Sequence, residues 1–246
     1  MRHLLTFSLI ALATACASTH TAPTTQTAPT TQTAPDPLRT DWANLARFRD
    51  ANEKLPPPMS GEKRVVFMGN SITANWGDYF ATMFPGKPYI DRGISGQTTP
   101  QMLVRFRQDV VDLQPAVVVI LAGTNDIAGN TGPSTLEMIE SNLASMAELA
   151  KANGIKVVLA SVLPVRDYPW KPELEPAPKI MALNSWIKAY AAQHGATYVD
   201  FHSPMADAQD GMRSGLSSDG VHPNETGYRM MAPLVEQAID QALQAR

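Results

Sequence analysis

Cysteine is almost absent from this chain. Cys16 is the only one in 246 residues, so no disulfide can close within it. Long apolar runs are lacking too: the most apolar stretch, Leu4 to Ala15, falls well short of the roughly 20 residues that span a bilayer. Charge of one sign is missing, since 20 Lys and Arg stand against 23 Asp and Glu for a formal net charge of −3. No basic run or stripe occurs, so nucleic acid has no electrostatic footprint to meet. Two catalytic signatures are also absent. Without H-E-x-x-H or a Cys/His cluster the sequence indicates no metal site, and without G-x-S-x-G it lacks the nucleophile elbow of the α/β-hydrolases. What remains, 44% apolar and 17% charged residues, is ordinary globular composition, sufficient for one large domain or two small ones.

The first 15 residues read as a signal peptide: Arg2 gives a positive start and Leu4 to Ala15 a short apolar core. Two processing routes fit. Cleavage after Ala13-Thr14-Ala15 would release a soluble secreted protein. Alternatively Cys16 is lipid-modified and anchors an exported lipoprotein in the bacterial periplasm or outer membrane, the reading that a lone Cys at this place favours. Ala13 stands three before Cys16, where lipoproteins usually carry Leu; Leu12 is one further out. Residues 16–37 follow as a tether. Here Thr-Ala-Pro-Thr-Thr-Gln occurs twice, without charge or large apolar groups, and such a stretch cannot bury enough surface to offset its ordering entropy.

From residue 38 to 246 the pattern becomes that of a folded domain, with residues 38–60 as an N-terminal helical extension. There Thr40-Asp41 cap a helix running to about Lys54, with Trp42, Leu45 and Phe48 on one face, before Pro56-Pro57-Pro58. Five strands are expected at Arg64–Met68, Tyr89–Asp91, Ala116–Leu121, Ile155–Ala160 and Thr197–Asp200. The third is apolar at every position, as in a parallel strand covered on both faces. Helices alternate with them. One opens on a capping box at Ser134-x-x-Glu137 and stops before Gly154; another runs from Ala177 to His194, before Gly195; a last runs from Glu225 onward. This alternation predicts a three-layer α/β/α sandwich around a five-stranded parallel sheet.

In such a sheet, functional groups gather at the carboxyl ends of the strands. Ser71 follows the first strand directly and either caps a helix or presents its hydroxyl and N–H at the sheet edge. Gly93 and Gly96 follow the second, as a tight turn or as backbone open to a ligand. Asn125, after the third, either closes an Asx turn or aims its amide at a substrate. Asp219 and His222 lie three apart on a Gly/Pro loop before the last helix. There the carboxylate can accept the imidazole Nδ1–H and free Nε2 as a base, or His222 merely caps the helix. His194 has a sufficient role at a helix end, and His202 follows a strand end.

Taken in order, Gly69-Asn70-Ser71, Gly96, Gly123-Thr124-Asn125-Asp126 and Asp219-Gly220-Val221-His222-Pro223 resemble the four blocks of the SGNH (GDSL-like) hydrolase family. The resemblance covers the chain from about Arg64 onward. One block departs from it: Gly-Asn-Ser-Ile replaces the usual Gly-Asp-Ser-Leu, and Asp91 stands where many members have Asn. The resemblance implies a flavodoxin-like fold and a serine esterase without cofactor. Ser71 would be the nucleophile, His222 the base and Asp219 its partner. Ser71, Gly96 and Asn125 would form the oxyanion hole. Trp76, Tyr168 and Trp170 are candidate pocket walls, each equally explicable as a packing residue. The substrate class would be a small-molecule or glycan ester, with short acyl groups on carbohydrates favoured over lysophospholipids or thioesters. Acyl transfer to an envelope carbohydrate and a non-catalytic envelope binding module are the rival readings.

Overall fold

The computed structural model describes residues 40–245; the signal peptide, Cys16 and the whole tether lie outside them. The described chain runs α1 (Arg49–Lys54), β1 (Val65–Gly69), α2 (Ser71–Gly77), α3 (Phe80–Met83), β2 (Tyr89–Gly93), α4 (Thr99–Asp109), β3 (Val117–Leu121), α5 (Thr124–Ile127), α6 (Leu136–Ala152), β4 (Lys156–Ala160), α7 (Ala177–His194), β5 (Thr197–Val199), α8 (His202–Met205) and α9 (Glu225–Gln244). The strands form one sheet in the order β2-β1-β3-β4-β5, parallel throughout. This is the five-stranded α/β/α sandwich expected.

The unbroken apolar strands conceal a period of two. Val66, Met68, Val118, Ile120, Val157 and Leu159 point to one face, against Met102 and Phe106 of α4, Ile139 and Leu143 of α6 and Ile180 and Leu183 of α7. Val65, Phe67, Val117, Val119, Leu121 and Val158 point to the other, against Trp76 of α2 and Tyr228, Met231 and Val235 of α9. With both faces covered, alternation disappears from the sequence although it governs the packing.

Three differences from the sequence reading have physical causes. Of the helix expected in the N-terminal extension from Thr40 to Lys54, only the last six residues, α1, are helical. Before it Asp41 accepts the N–H groups of Leu45 and Ala46 at 2.8 Å each and folds the chain into turns. Helix α6 is capped by Thr135, whose hydroxyl accepts the Met138 N–H at 3.3 Å, one residue beyond Ser134. Helix α4, between β2 and β3, is one of the alternating helices for which the sequence reading gives no bounds; Thr98 and Gln101 form a capping box at its start, with Pro100 in its first turn.

The extension packs on α4 through polar contacts. Gln101 donates to the Trp42 carbonyl at 2.6 Å and Gln108 to that of Leu45 at 2.7 Å. Asn52 donates to Asp109 at 2.8 Å and accepts from Arg92 at 2.7 Å, while the Arg92 guanidinium lies 4.7 Å from the centre of the Phe48 ring.

At the end of β2 the backbone of α2 comes so close that a side chain has no room. A Cβ on Gly93 would run into the Ala74 backbone nitrogen and lie 2.8 Å from the Asn70 carbonyl oxygen. Gly93→Ala should therefore cost about 1–3 kcal/mol, the usual penalty for overpacking, read as a lower urea midpoint at constant m-value. An unchanged midpoint would show that α2 moves aside freely.

Candidate active site

The sheet order reverses at β1: from there the chain winds first outward to β2, then back past β1 to β3. Such a switch point opens a crevice beyond the carboxyl ends of the two strands, and the loops after β1, β2 and β3 all reach it. Ser71 is the first residue of α2. Its predecessor Asn70 caps that helix, its side-chain oxygen accepting the Ile72 N–H at 3.0 Å.

The loop before α9 closes the crevice from the far end of the chain. The Ser71 Oγ lies 2.9 Å from His222 Nε2, and His222 Nδ1 lies 2.6 Å from Asp219 Oδ2. An ionised carboxylate only accepts, so Nδ1 carries the ring proton and Nε2 is left to accept from the serine hydroxyl. The second Asp219 oxygen accepts the backbone N–H of His222 at 2.8 Å, that of Val221 at 2.9 Å and the Ser217 hydroxyl at 3.0 Å. Partial burial pushes this carboxyl up. The hydrogen bonds from His222, Val221 and Ser217 outweigh it and hold Asp219 well below the usual carboxylate range.

Gly96 and Asn125 face the same cleft, an open hollow of ≈ 410 Å³ lined by Ser71, Asn75, Ser95, Gly96, Asn125, Asn130, Trp170 and His222. Gly96 takes a left-handed φ of +77° with open space where a Cβ would stand. Asn125, 3% exposed, donates one amide hydrogen to the Gln97 carbonyl at 2.9 Å, which fixes the direction of the other. Beneath it Asp126 accepts the N–H and hydroxyl of Thr99, the latter at 2.6 Å. Burial pushes this carboxyl up to about 6, against those two hydrogen bonds.

The three aromatic candidates separate. Trp170, 46% exposed, lines the cleft with its ring centre 6.2 Å from that of His222. Trp76 does not line it. The ring is 1% exposed and stacks on Tyr228 at 5.6 Å, edge-on to Phe67 and Phe201, so it belongs to the core. Tyr168 is buried as well. Its hydroxyl bonds the Thr124 hydroxyl at 2.8 Å and carbonyl at 3.0 Å, which fixes the residue before Asn125, and its ring supports Trp170 at 5.1 Å. His194 and His202 lie outside the cleft lining, the latter buried. Sequence reasoning did not single out Asn75, Ser95 or Asn130; small polar residues in loops carry no signal of their own. Among the described residues, no three His, Cys, Asp or Glu side chains converge as a metal-ligand set.

Residues 67–230 match the GDSL-like Lipase/Acylhydrolase family. The chain belongs to that family. A candidate acylhydrolase of Bacteroides fragilis is 48% identical and superposes with a TM-score of 0.81, over 83% of this chain and all of the other. Among curated relatives, an esterase TesA of Pseudomonas aeruginosa is 32% identical over 54% of this chain, and an acetylxylan esterase of Xylanibacter ruminicola 27% over 76%. The chain spans 60% and 45% of the length of those two proteins.

In this family member Asp91 lies against α2, where a Cβ on Gly77 would come within 2.8 Å of its carboxyl oxygen, and it accepts the Gly93 N–H at 2.7 Å. Burial pushes its carboxyl up to about 7, the Gly93 hydrogen bond and the guanidinium groups of Arg92 and Arg105 opposing that rise. A folded-state pKa above the unfolded value contributes stability that is complete below about pH 4 and is lost as pH rises through about 7. Asp91→Asn keeps the acceptor for Gly93 without a charge to bury. It should be more stable than wild type at pH 8.5 by on the order of a few kcal/mol, with the gain vanishing near pH 4 in urea titrations. A gain independent of pH would contradict the buried-carboxyl explanation.

Proposed function

We propose that this protein is a serine esterase that hydrolyses short-chain carboxylic esters, acetylated carbohydrates foremost. The observation that carries the reading is the unbroken chain Ser71–His222–Asp219 at one wall of a cleft whose other wall holds Gly96 and Asn125. His222 takes the proton of Ser71 as the hydroxyl oxygen attacks the ester carbonyl carbon, and Asp219 stabilises the resulting imidazolium. The oxyanion is met by the N–H groups of Ser71 and Gly96 and by the free amide hydrogen of Asn125. Collapse of the tetrahedral species breaks the bond to the alcohol, which leaves with the His222 proton. Water then repeats the sequence on the acyl-enzyme, releasing the acid and restoring Ser71.

The lining of the cleft favours a small acyl group. Asn75, Ser95, Asn125 and Asn130 are polar, and Trp170 is its one large apolar side chain. A long acyl chain needs an apolar channel to gain from burial. Exposed beside the base that protonates the leaving alcohol, the Trp170 ring offers a flat face to a sugar. The acetylxylan esterase relative supports the same substrate class. Export through residues 1–15 and anchoring at Cys16 belong to this proposal; Cys16→Ser should move the protein from the membrane to the soluble fraction of cells, and unchanged fractionation would refute the anchor.

Hydrolysis of p-nitrophenyl esters from acetate to decanoate tests the reading. Activity should peak at the shortest chains and vanish in Ser71→Ala. Asn125→Ala should lower kcat by about 10²–10³, and Asp219→Asn by about 10⁴, because the imidazole then loses its acceptor and its tautomer. Equal inactivity of wild type and Ser71→Ala on every ester would refute the esterase function, and a maximum at decanoate would refute the short-acyl preference.

A further inference from the structure

We infer that Gln97 is the positioning residue of the oxyanion hole, joining its donors to one another and to the N-terminal extension. The inference rests on the esterase reading above and adds to it a residue with no contact to substrate.

Gln97 is 3% exposed and bonded at both ends. Its backbone carbonyl accepts the Asn125 amide at 2.9 Å, so it sets the angle at which the remaining Asn125 hydrogen enters the cleft. The side-chain oxygen accepts from Arg105 Nε at 2.6 Å, and the side-chain nitrogen donates to the Ala43 carbonyl at 2.8 Å. Arg105 is fully buried. It donates onward to the Gly69 carbonyl at 3.1 Å, to the Arg92 carbonyl at 2.8 Å and to Asp109 at 3.0 Å. Gly69 is two residues before Ser71, and Gly96 immediately precedes Gln97. Through its side chain, its backbone carbonyl and its arginine, Gln97 thus touches the strand end before Ser71, the loop carrying Gly96 and the amide of Asn125.

Gly96 cannot anchor itself. It has no side chain, open space lies where a Cβ would stand, and among the described residues its carbonyl is held only by the exposed amide of Asn130 at 3.2 Å. Oxyanion donors act by being aimed before charge develops, so that no reorganisation accompanies the reaction. Charge-assisted hydrogen bonds in a dry interior are short and directional; the one from Arg105, together with the neutral bond to Ala43, supplies that aim. The extension takes part because Ala43 is one of the three anchors.

Gln97→Met removes both side-chain hydrogen bonds at nearly constant volume, whereas Gln97→Glu retains the acceptor for Arg105. With p-nitrophenyl acetate, Gln97→Met should lower kcat about tenfold or more, since small misplacements of catalytic groups carry penalties up to about 10², with KM within about twofold. Gln97→Glu should recover most of the loss. In the Asn125→Ala background the effect of Gln97→Met should shrink several-fold, because the donor it orients is gone. An equal loss in both backgrounds, or a loss residing in KM, would reduce Gln97 to a packing residue and overturn the inference. If Gln97→Met does not fold, Gln97→Asn carries the same test: its amide is one methylene too short to reach both Ala43 and Arg105. Ser71-dependent hydrolysis with kcat untouched by either variant overturns this inference alone. A wild type without Ser71-dependent hydrolysis overturns the esterase reading along with it.

Discussion

The reversal of winding between β1 and β3 is the constraint on which the rest of the molecule depends. A parallel sheet gathers all its strand carboxyl ends at one edge, and the reversal opens a crevice there. Three chain segments enter it by topology alone: Asn70-Ser71 after β1, Ser95-Gly96 after β2 and Asn125 after β3. The fourth, Asp219 to His222, arrives from a loop 151 residues beyond Ser71, brought back because α9 must cover the face of β3, β4 and β5. Tyr228, one turn into that helix, donates its hydroxyl to the Ile72 carbonyl at 2.8 Å. The start of α9 is thereby joined to the first turn of α2, and with it His222 to Ser71.

Around that crevice three carboxyl groups are held in three different ways. Asp219 is partly open and receives four hydrogen bonds, so its charged form is favoured. Asp126 is buried with Thr99 as its partner and is pushed up to about 6. Asp91, half-buried against α2, has Gly93 as its hydrogen-bond donor and is pushed up to about 7. The number of donors against the extent of desolvation decides each case. Of the three, the carboxyl group beside the imidazole is the one whose charged form its surroundings favour.

Legibility in the sequence follows the same physics. Strands β1 and β3 announced themselves because a strand buried on both faces has no polar position, and α7 because its end is marked by Gly195. Helix α4 was hidden by its own chemistry. Gln97, Gln101, Arg105, Gln108 and Asp109 look like a solvated face, yet they bond the extension and the strand-end carbonyls. Buried polar networks of this kind resemble surface in a sequence, and the i,i+4 spacing of Arg105 and Asp109 is the one local hint of them. Trp76 is open to both readings in the sequence, as wall or as packing residue, and its place among Phe67, Phe201 and Tyr228 puts it in the aromatic core. Tyr168 was placed in the right loop; only its hydroxyl, bonded to Thr124, decides that it supports the wall and that Trp170 forms it.

On the proposed esterase mechanism Ser71, and no other group, is made nucleophilic by His222. Incubation with a p-nitrophenyl alkylphosphonate, followed by intact mass and peptide mapping, tests it most directly, because the phosphonyl group stays on the attacking oxygen. One adduct per chain is expected, on Ser71, its rate of formation falling steeply in His222→Ala. Labelling elsewhere, or labelling of Ser71 at an unchanged rate without His222, would contradict it.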